Sequence, residues 1–188
     1  MHGGVVRRVG VLLLTLMVAW LPAAAVTLEN YENVRFGYAI SFPVGAFKGQ
    51  GESDNRDGQR FVSPDGKAIL TVYGSHNVDD APVKALLKTA MLAEKSVTFR
   101  RQKGNWFVLS GYRGDTIYYR KTIADNVLVT FDLVYPKAQR RQYRSIVHIL
   151  SHTLRRTIGR LETAPRGTAL GAAVTPGSVR MPALANPQ

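Results

Sequence analysis

Apolar side chains recur at every second position through most of this chain, and at helical spacing in only two places. Phe36, Tyr38, Ile40 and Phe42 alternate with Gly37, Ala39 and Ser41, which predicts a strand ended by Pro43. Gln59 to Ser63 and Lys67 to Ser75 flank Ser63-Pro64-Asp65-Gly66. Proline at the second turn position fixes φ and glycine closes the turn, so the two segments form a hairpin. Pro82 then opens a helix with Leu86, Leu87, Ala90 and Met91 on one face, and Asp79 or Asp80 is placed to cap it. Four further strands are predicted over Val97 to Lys103, Trp106 to Tyr112, Asp115 to Ile123 and Val127 to Tyr135. They are separated by Gly104-Asn105, Gly114 and Asp125-Asn126. Connections this short join antiparallel neighbours. Pro136 opens a last helix in which Tyr143, Ile146, Val147, Leu150 and Leu154 share one side. The expected fold is α+β, in the order βββ-α-ββββ-α, with an antiparallel sheet flanked by helices.

The two ends of the chain do not follow these patterns. Arg7-Arg8 precede a largely apolar stretch from Val9 to Leu21, then Pro22 and Ala23-Ala24-Ala25. Charge, apolar core and small residues in that order make a secretory signal peptide, expected to be cut after Ala25. The apolar stretch is short of the roughly 20 residues that a spanning helix needs. The expected location is therefore periplasmic or secreted. At the other end, residues 161–188 carry Pro165, Pro176, Pro182 and Pro187 with no apolar period, and are expected to be a disordered tail. Residues 26–160 remain as one domain. The chain has no cysteine, so an exported form is held by its core rather than by disulfides.

Charge narrows the partners. The formal net charge is +12, and removing the leader takes away two arginines and no acid, leaving +10. No acid occurs between Glu94 and Asp115 or between Asp132 and Glu162. A basic surface favours anionic partners through long-range attraction. Outside the cytoplasm these are an anionic envelope component or an acidic protein rather than nucleic acid, with peripheral contact to a membrane surface and a monomeric chain.

Tyr31-Glu32-Asn33-Val34-Arg35-Phe36-Gly37-Tyr38-Ala39-Ile40-Ser41-Phe42-Pro43 resembles the opening strand of PsbP-like proteins. That superfamily is named for the extrinsic photosystem II subunit and includes small exported bacterial proteins. The hairpin Phe61-Val62-Ser63-Pro64-Asp65-Gly66, the strand Trp106-Phe107-Val108-Leu109-Ser110-Gly111 and Tyr118-Tyr119-Arg120-Lys121 are similar to later strands of the bacterial members. The resemblance spans Tyr31 to Leu154 and implies an α/β/α sandwich. It further implies a binding or assembly factor rather than an enzyme; none of the photosynthetic residues is matched.

Candidate chemistry is sparse. His148 and His152 stand four apart on the last predicted helix, a spacing that ligates zinc when a third ligand and an acid are near. Here the neighbours are Arg141, Arg144, Arg155 and Arg156, and a dication is disfavoured. No metal and no cofactor is expected. A helical wheel places Lys137, Arg141, Arg144, His148, His152 and Arg155 opposite the apolar side, and arginine offers phosphate and carboxylate a bidentate fork. This basic face is the leading binding candidate. Tyr118 and Arg120, on one face of a strand, offer a second, shallow aromatic-basic surface. The segment Gly51 to Gly58 has a calcium-loop flavour, but the twelfth position falls on Pro64 where a bidentate Glu is required. Ser75-His76 with Asp79 and Asp80 is the one serine, histidine and acid cluster close in sequence, and strand neighbours point apart. The resulting expectation is a non-enzymatic exported binding or assembly factor. The alternative is an envelope hydrolase using His76 or His148 as general base.

Overall fold

The computed structural model describes residues 25–157. The leader reading, on residues 1–25, lies outside the described residues except for Ala25, and the tail reading, on residues 161–188, lies wholly outside them. Among the described residues, ten strands and two α-helices run in the order β1 (Leu28–Asn33), β2 (Tyr38–Pro43), β3 (Lys48–Glu52), β4 (Gly58–Val62), β5 (Ile69–His76), α1 (Val83–Leu92), β6 (Val97–Lys103), β7 (Trp106–Arg113), β8 (Thr116–Ala124), β9 (Val127–Pro136), α2 (Arg140–Thr153) and β10 (Arg155–Arg156). A seven-stranded antiparallel sheet has the order β3-β4-β5-β9-β8-β7-β6, and a three-stranded sheet has the order β1-β2-β10.

Every predicted strand and both predicted helices are present, and three strands are additional. β1 and β3 escape the alternation test because their sequences, LENYEN and KGQGE, offer almost no apolar side chain to alternate. β10 is two residues long and is held by pairing Arg155 with Ala39 and Arg156 with Tyr38. The start of α1 also differs from expectation. Pro82 occupies the N-cap position, and neither Asp79 nor Asp80 makes a capping bond. Asn77 orders the preceding turn instead, its Oδ1 accepting from the Ala81 amide and its Nδ2 donating to the Ala81 carbonyl, both at 3.0 Å.

The large sheet is covered differently on its two faces. On one face, Val127, Val129, Phe131, Leu133 and Tyr135 of β9 join Leu70 and Val72 of β5 beneath the small sheet and α2. Tyr38, Ile40 and Phe42 come down from β2, and Tyr143, Leu150 and Leu154 from α2 and its end. Tyr143 stacks on Tyr135 with ring centroids 4.8 Å apart. On the other face, Phe107, Leu109 and Tyr118 pack under Leu86, Leu87, Ala90 and Met91 of α1. Alternation forces this split, because successive residues of β7, β8 and β9 point to opposite sides. α2 is anchored by Thr153, whose hydroxyl donates to the Ser41 carbonyl at 2.8 Å and accepts from the Ser41 amide at 3.1 Å. It therefore lies over β2 and the centre of the sheet, and it leaves the β6–β7 side of the same face open.

Candidate functional site: a cationic groove beside the last helix

Antiparallel register carries distant residues into rows across the open part of the sheet. Arg101 of β6 is directly opposite Val108 of β7, and Val108 is directly opposite Lys121 of β8. Two strand spacings of about 4.8 Å separate the outer members of the row. The next row runs Lys103, Trp106, Ile123, and the row on the other side runs Phe99, Ser110, Tyr119. Above them stands α2 with Arg144, Val147, His148, Ser151 and His152. Strands and helix enclose a groove of about 580 Å³, with Val108 as its buried floor. That volume suits a small-molecule ligand.

The groove is cationic and aromatic together. Four permanent cations line it, Arg101, Lys103, Lys121 and Arg144, and no carboxylate does among the described residues. Trp106 lies between cations, with the Lys121 Nζ 5.3 Å and the Arg101 guanidinium carbon 6.0 Å from its ring centroid. Lys121 is the least solvated of the lysines here. Its Nζ donates to the Ser151 carbonyl, and burial alone pulls its pKa below the ordinary lysine value. The Tyr119 hydroxyl donates to the Ser151 Oγ at 3.3 Å, and the Tyr119 ring stacks on Phe131. The imidazoles of His148 and His152 stack at 4.0 Å, and the His152 Nδ1 lies 2.8 Å from the His148 carbonyl. A carbonyl only accepts, so that nitrogen carries a proton.

The opposite face treats its cations differently. Arg120 donates to the Asp132 Oδ2 at 2.6 Å, Arg113 pairs with Glu94, and each reaches the other's carboxylate at 3.3–3.4 Å. Glu94 and Asp132 are mostly buried under this pair of guanidinium groups. The two arginines on the α1 face are thus neutralised within the protein, while Lys121 on the α2 face has no acid beside it among the described residues.

These positions divide the residues singled out from sequence. Arg144, His148 and His152 line the groove. Arg141 is exposed on the same helix but does not line the groove. Arg155 lies beyond the helix on β10, where its Nη1 donates to the Thr153 carbonyl at 3.3 Å, so the helical wheel fails at that residue. Tyr118 and Arg120 do not form an open sheet surface. Tyr118 is fully buried with its hydroxyl donating to the Ser96 carbonyl at 3.0 Å, and Arg120 belongs to the carboxylate cluster. His76 ends β5 with its ring 5.2 Å from that of Phe36, and Ser75 beside it on the strand points the other way. Asp57 in the loop before β4 accepts from the Ser53 hydroxyl at 2.5 Å and from Asn55 Nδ2 at 2.9 Å, a self-bonded polar turn. Among the described residues, no group of three His, Asp or Glu side chains is placed to hold a metal ion.

Sequence reasoning missed Arg101, Lys103, Trp106 and Lys121. Their signal was present in part: the acid-free stretch after Glu94 holds the first three, and alternation sets Lys121 on the face opposite Arg120.

A sheet covered by a helix on one face, and by a helix and a small sheet on the other, is an α+β sandwich. Compared by sequence, the chain matches no protein-family profile and no curated protein. Compared by structure, it is similar to the solution structure of cyanobacterial PsbP (CyanoP) from Synechocystis sp. PCC 6803. That match has 12% identity and a TM-score of 0.50, and covers 74% of this chain and 98% of that one. A crystal structure from Bacteroides thetaiotaomicron VPI-5482 aligns at 11% identity and a TM-score of 0.45, over 68% of this chain and 47% of that one. The likeness to the cyanobacterial structure shows a PsbP-like fold, and at 12% identity it shows the fold alone.

Proposed function

We propose that this protein is an exported, non-enzymatic binding or assembly factor that engages an anionic envelope component or an acidic protein. The observation that carries the reading is the groove beside α2, with four permanent cations and no lining carboxylate among the described residues. Long-range attraction brings an anion to such a surface, and guanidinium forks hold it once there. The PsbP-like resemblance points the same way, since it implies binding and assembly roles. Export rests on the charge, apolar stretch and small residues of the first 25 positions.

The test is fractionation of cells at rising salt, together with intact mass of the recovered protein. Attraction between exposed charges is screened beyond about 8 Å at physiological ionic strength. Retention on the envelope is expected to fall steeply with salt, and the mass to begin at Val26. Retention that ignores salt, or no retention, overturns the binding reading; an uncut chain overturns export by a cleaved leader.

A further inference from the structure

Lys121 is an ammonium held half-buried with no counter-ion among the described residues. Its stem crosses the groove floor beside Val108, and its Nζ stands between the Trp106 ring and the Ser151 carbonyl. Arg113 and Arg120, on the other face, each have two carboxylates, whereas half-buried Arg156 donates to the Val127 carbonyl at 3.0 Å at the far side of the small sheet and does not line this groove. Taking a charge out of water without a partner is costly, and folds keep such a charge where something else supplies the partner. Arg101 reaches the same Trp106 ring from the other end of the row, and Arg144 stands on the helix above. An anion seated over Val108 would meet Lys121 and Arg101 on its two sides and Arg144 from the helix.

The amount of charge selects the anion. A single carboxylate neutralises one of these groups, whereas a phosphomonoester carries about −1.5 to −2 at neutral pH and three acceptor oxygens. The rest of the groove selects what the phosphate is attached to. Phe99, Trp106 and Val147 set apolar side chains beside the cations, which suits an organic ester better than the free ion.

We infer that the groove is a phosphomonoester site in which Lys121 is the ion-pairing group, Arg101 and Arg144 clamp the phosphoryl oxygens, and the ester's apolar part rests against Trp106. This assignment rests on the reading of the groove as the anion-binding surface and specifies its ligand. The phosphomonoester is either a soluble metabolite or the headgroup of a lipid, and the chemistry at Lys121 is the same for both.

The test uses the protein as recovered from cells. Calorimetric titration with phenyl phosphate is set beside phenol and benzoate, and flotation with phosphatidylcholine vesicles containing phosphatidic acid is set beside phosphatidylcholine alone. Phenyl phosphate is expected to bind at least about tenfold more tightly than benzoate, and phenol not at all. Lys121→Met keeps the apolar stem and is expected to weaken that binding by about tenfold or more. Lys84→Gln, an exposed lysine on α1, is expected to stay within about twofold. Should Lys121→Met fail to fold, Arg144→Gln on the exposed side of α2 carries the same expectation with a smaller loss. Binding of the soluble ester alone assigns a metabolite, and vesicle binding that also requires Lys121 assigns a lipid headgroup. Equal loss in Lys121→Met and Lys84→Gln, or no preference for phosphate over carboxylate, overturns the site. Salt-sensitive envelope retention without phosphomonoester binding overturns this ligand while leaving the proposed function standing; loss of both removes the two together.

Discussion

Lys121 of β8 donates to the carbonyl of Ser151 in the last turn of α2, and so bridges the two walls of the groove with a charge that burial disfavours. A lysine whose pKa is depressed in the fold binds its proton less readily there than in the unfolded chain. The cost is therefore full below the folded pKa and is relieved as pH rises through it toward the ordinary value of 10.5. Lys121→Met is expected to melt at or above the wild-type temperature at neutral pH, with the difference narrowing at alkaline pH. Thermal melts of the two proteins across that range check the sign. Stability gained by removing a binding group is the trade-off expected at a functional site.

The carboxylate cluster on the other face is expected to behave in the opposite way. Removing Asp132 strips Arg120 of its 2.6 Å partner and Arg113 of a second one. Asp132→Ala is expected to cost about 1–3 kcal/mol in urea denaturation, the range for lost hydrogen bonds to charged groups. A double-mutant cycle with Arg120→Ala should return a coupling of about 0.5–3 kcal/mol. Additive effects would mean that the pair contributes nothing.

α2 has two sides with different duties. Leu150 is 0% exposed, and Leu150→Ala is expected to cost about 2–5 kcal/mol, as core truncations to alanine do. Arg141, Arg144 and Arg155 are exposed, and no carboxylate pairs with them among the described residues. Replacing all three with Gln is expected to move the thermal midpoint by no more than about a few degrees. The same triple change should weaken envelope retention, with the loss coming from Arg144.

Gly111 has no room for a side chain. A Cβ there would stand 1.8 Å from the Ser96 carbonyl oxygen, beside the bulge in β6 between Val97 and Phe99. That backbone cannot yield without disturbing the bond that the same carbonyl accepts from Tyr118. Gly111→Ala is expected to destabilise by about 1–3 kcal/mol or more, as overpacking does. A wild-type urea midpoint in this variant would show that the β6 end is slack.

Asp65 gives the hairpin turn a pH signature. Its carboxylate accepts from the Ser63 hydroxyl at 2.6 Å, from Gln139 Nε2 at 2.7 Å and from the Lys67 amide at 3.1 Å. These bonds, led by that from Ser63, lower its pKa from 3.8 to about 2. A depressed carboxylate supports the fold fully above its unfolded value and loses that support as pH falls through the folded one. Carbon-detected titration of the Asp65 carboxyl should place its midpoint near 2, and Ser63→Ala should raise it toward the ordinary range.

The fold was legible where side chains alternate, and of the groove only the helix wall, Arg144, His148 and His152, was legible. Phe36 to Phe42, the Ser63-Pro64-Asp65-Gly66 turn and the run from Val97 to Tyr135 declare themselves through alternation and short turn signals, although β6 is largely exposed and β8 and β9 are covered on both faces. β3 is exposed throughout, so only its pairing with β4 makes it a strand. The basic side of α2 was readable by periodicity up to His152, and failed at Arg155 because Leu154 has already left the helix with ψ near 119°. The groove needs Arg101, Val108 and Lys121 in one row, and that row is a matter of register between three strands. Alternation reports which face a residue takes, but not which residue stands opposite it. Tyr118 and Arg120 were correctly placed on one face, yet the sequence does not say that α1 and Glu94 cover it.

Among the described residues, the seven-stranded sheet ends at two strands with unpaired backbone, β3 and β6, and neither is an easy template for a second chain. Each pairs with its neighbour through an irregular register, and β6 sets Arg100, Arg101 and Lys103 along its rim. Bulges and edge charges are what keep open sheets from polymerising. Phe99, half exposed on the same strand, is the one large apolar group that this charge has to guard. The cations that line the groove therefore also act as gatekeepers against aggregation. Neutralising Arg101 and Lys103 to abolish ligand binding would strip the β6 rim of two of its three charges, leaving a protein whose shelf life, more than its melting point, records the change.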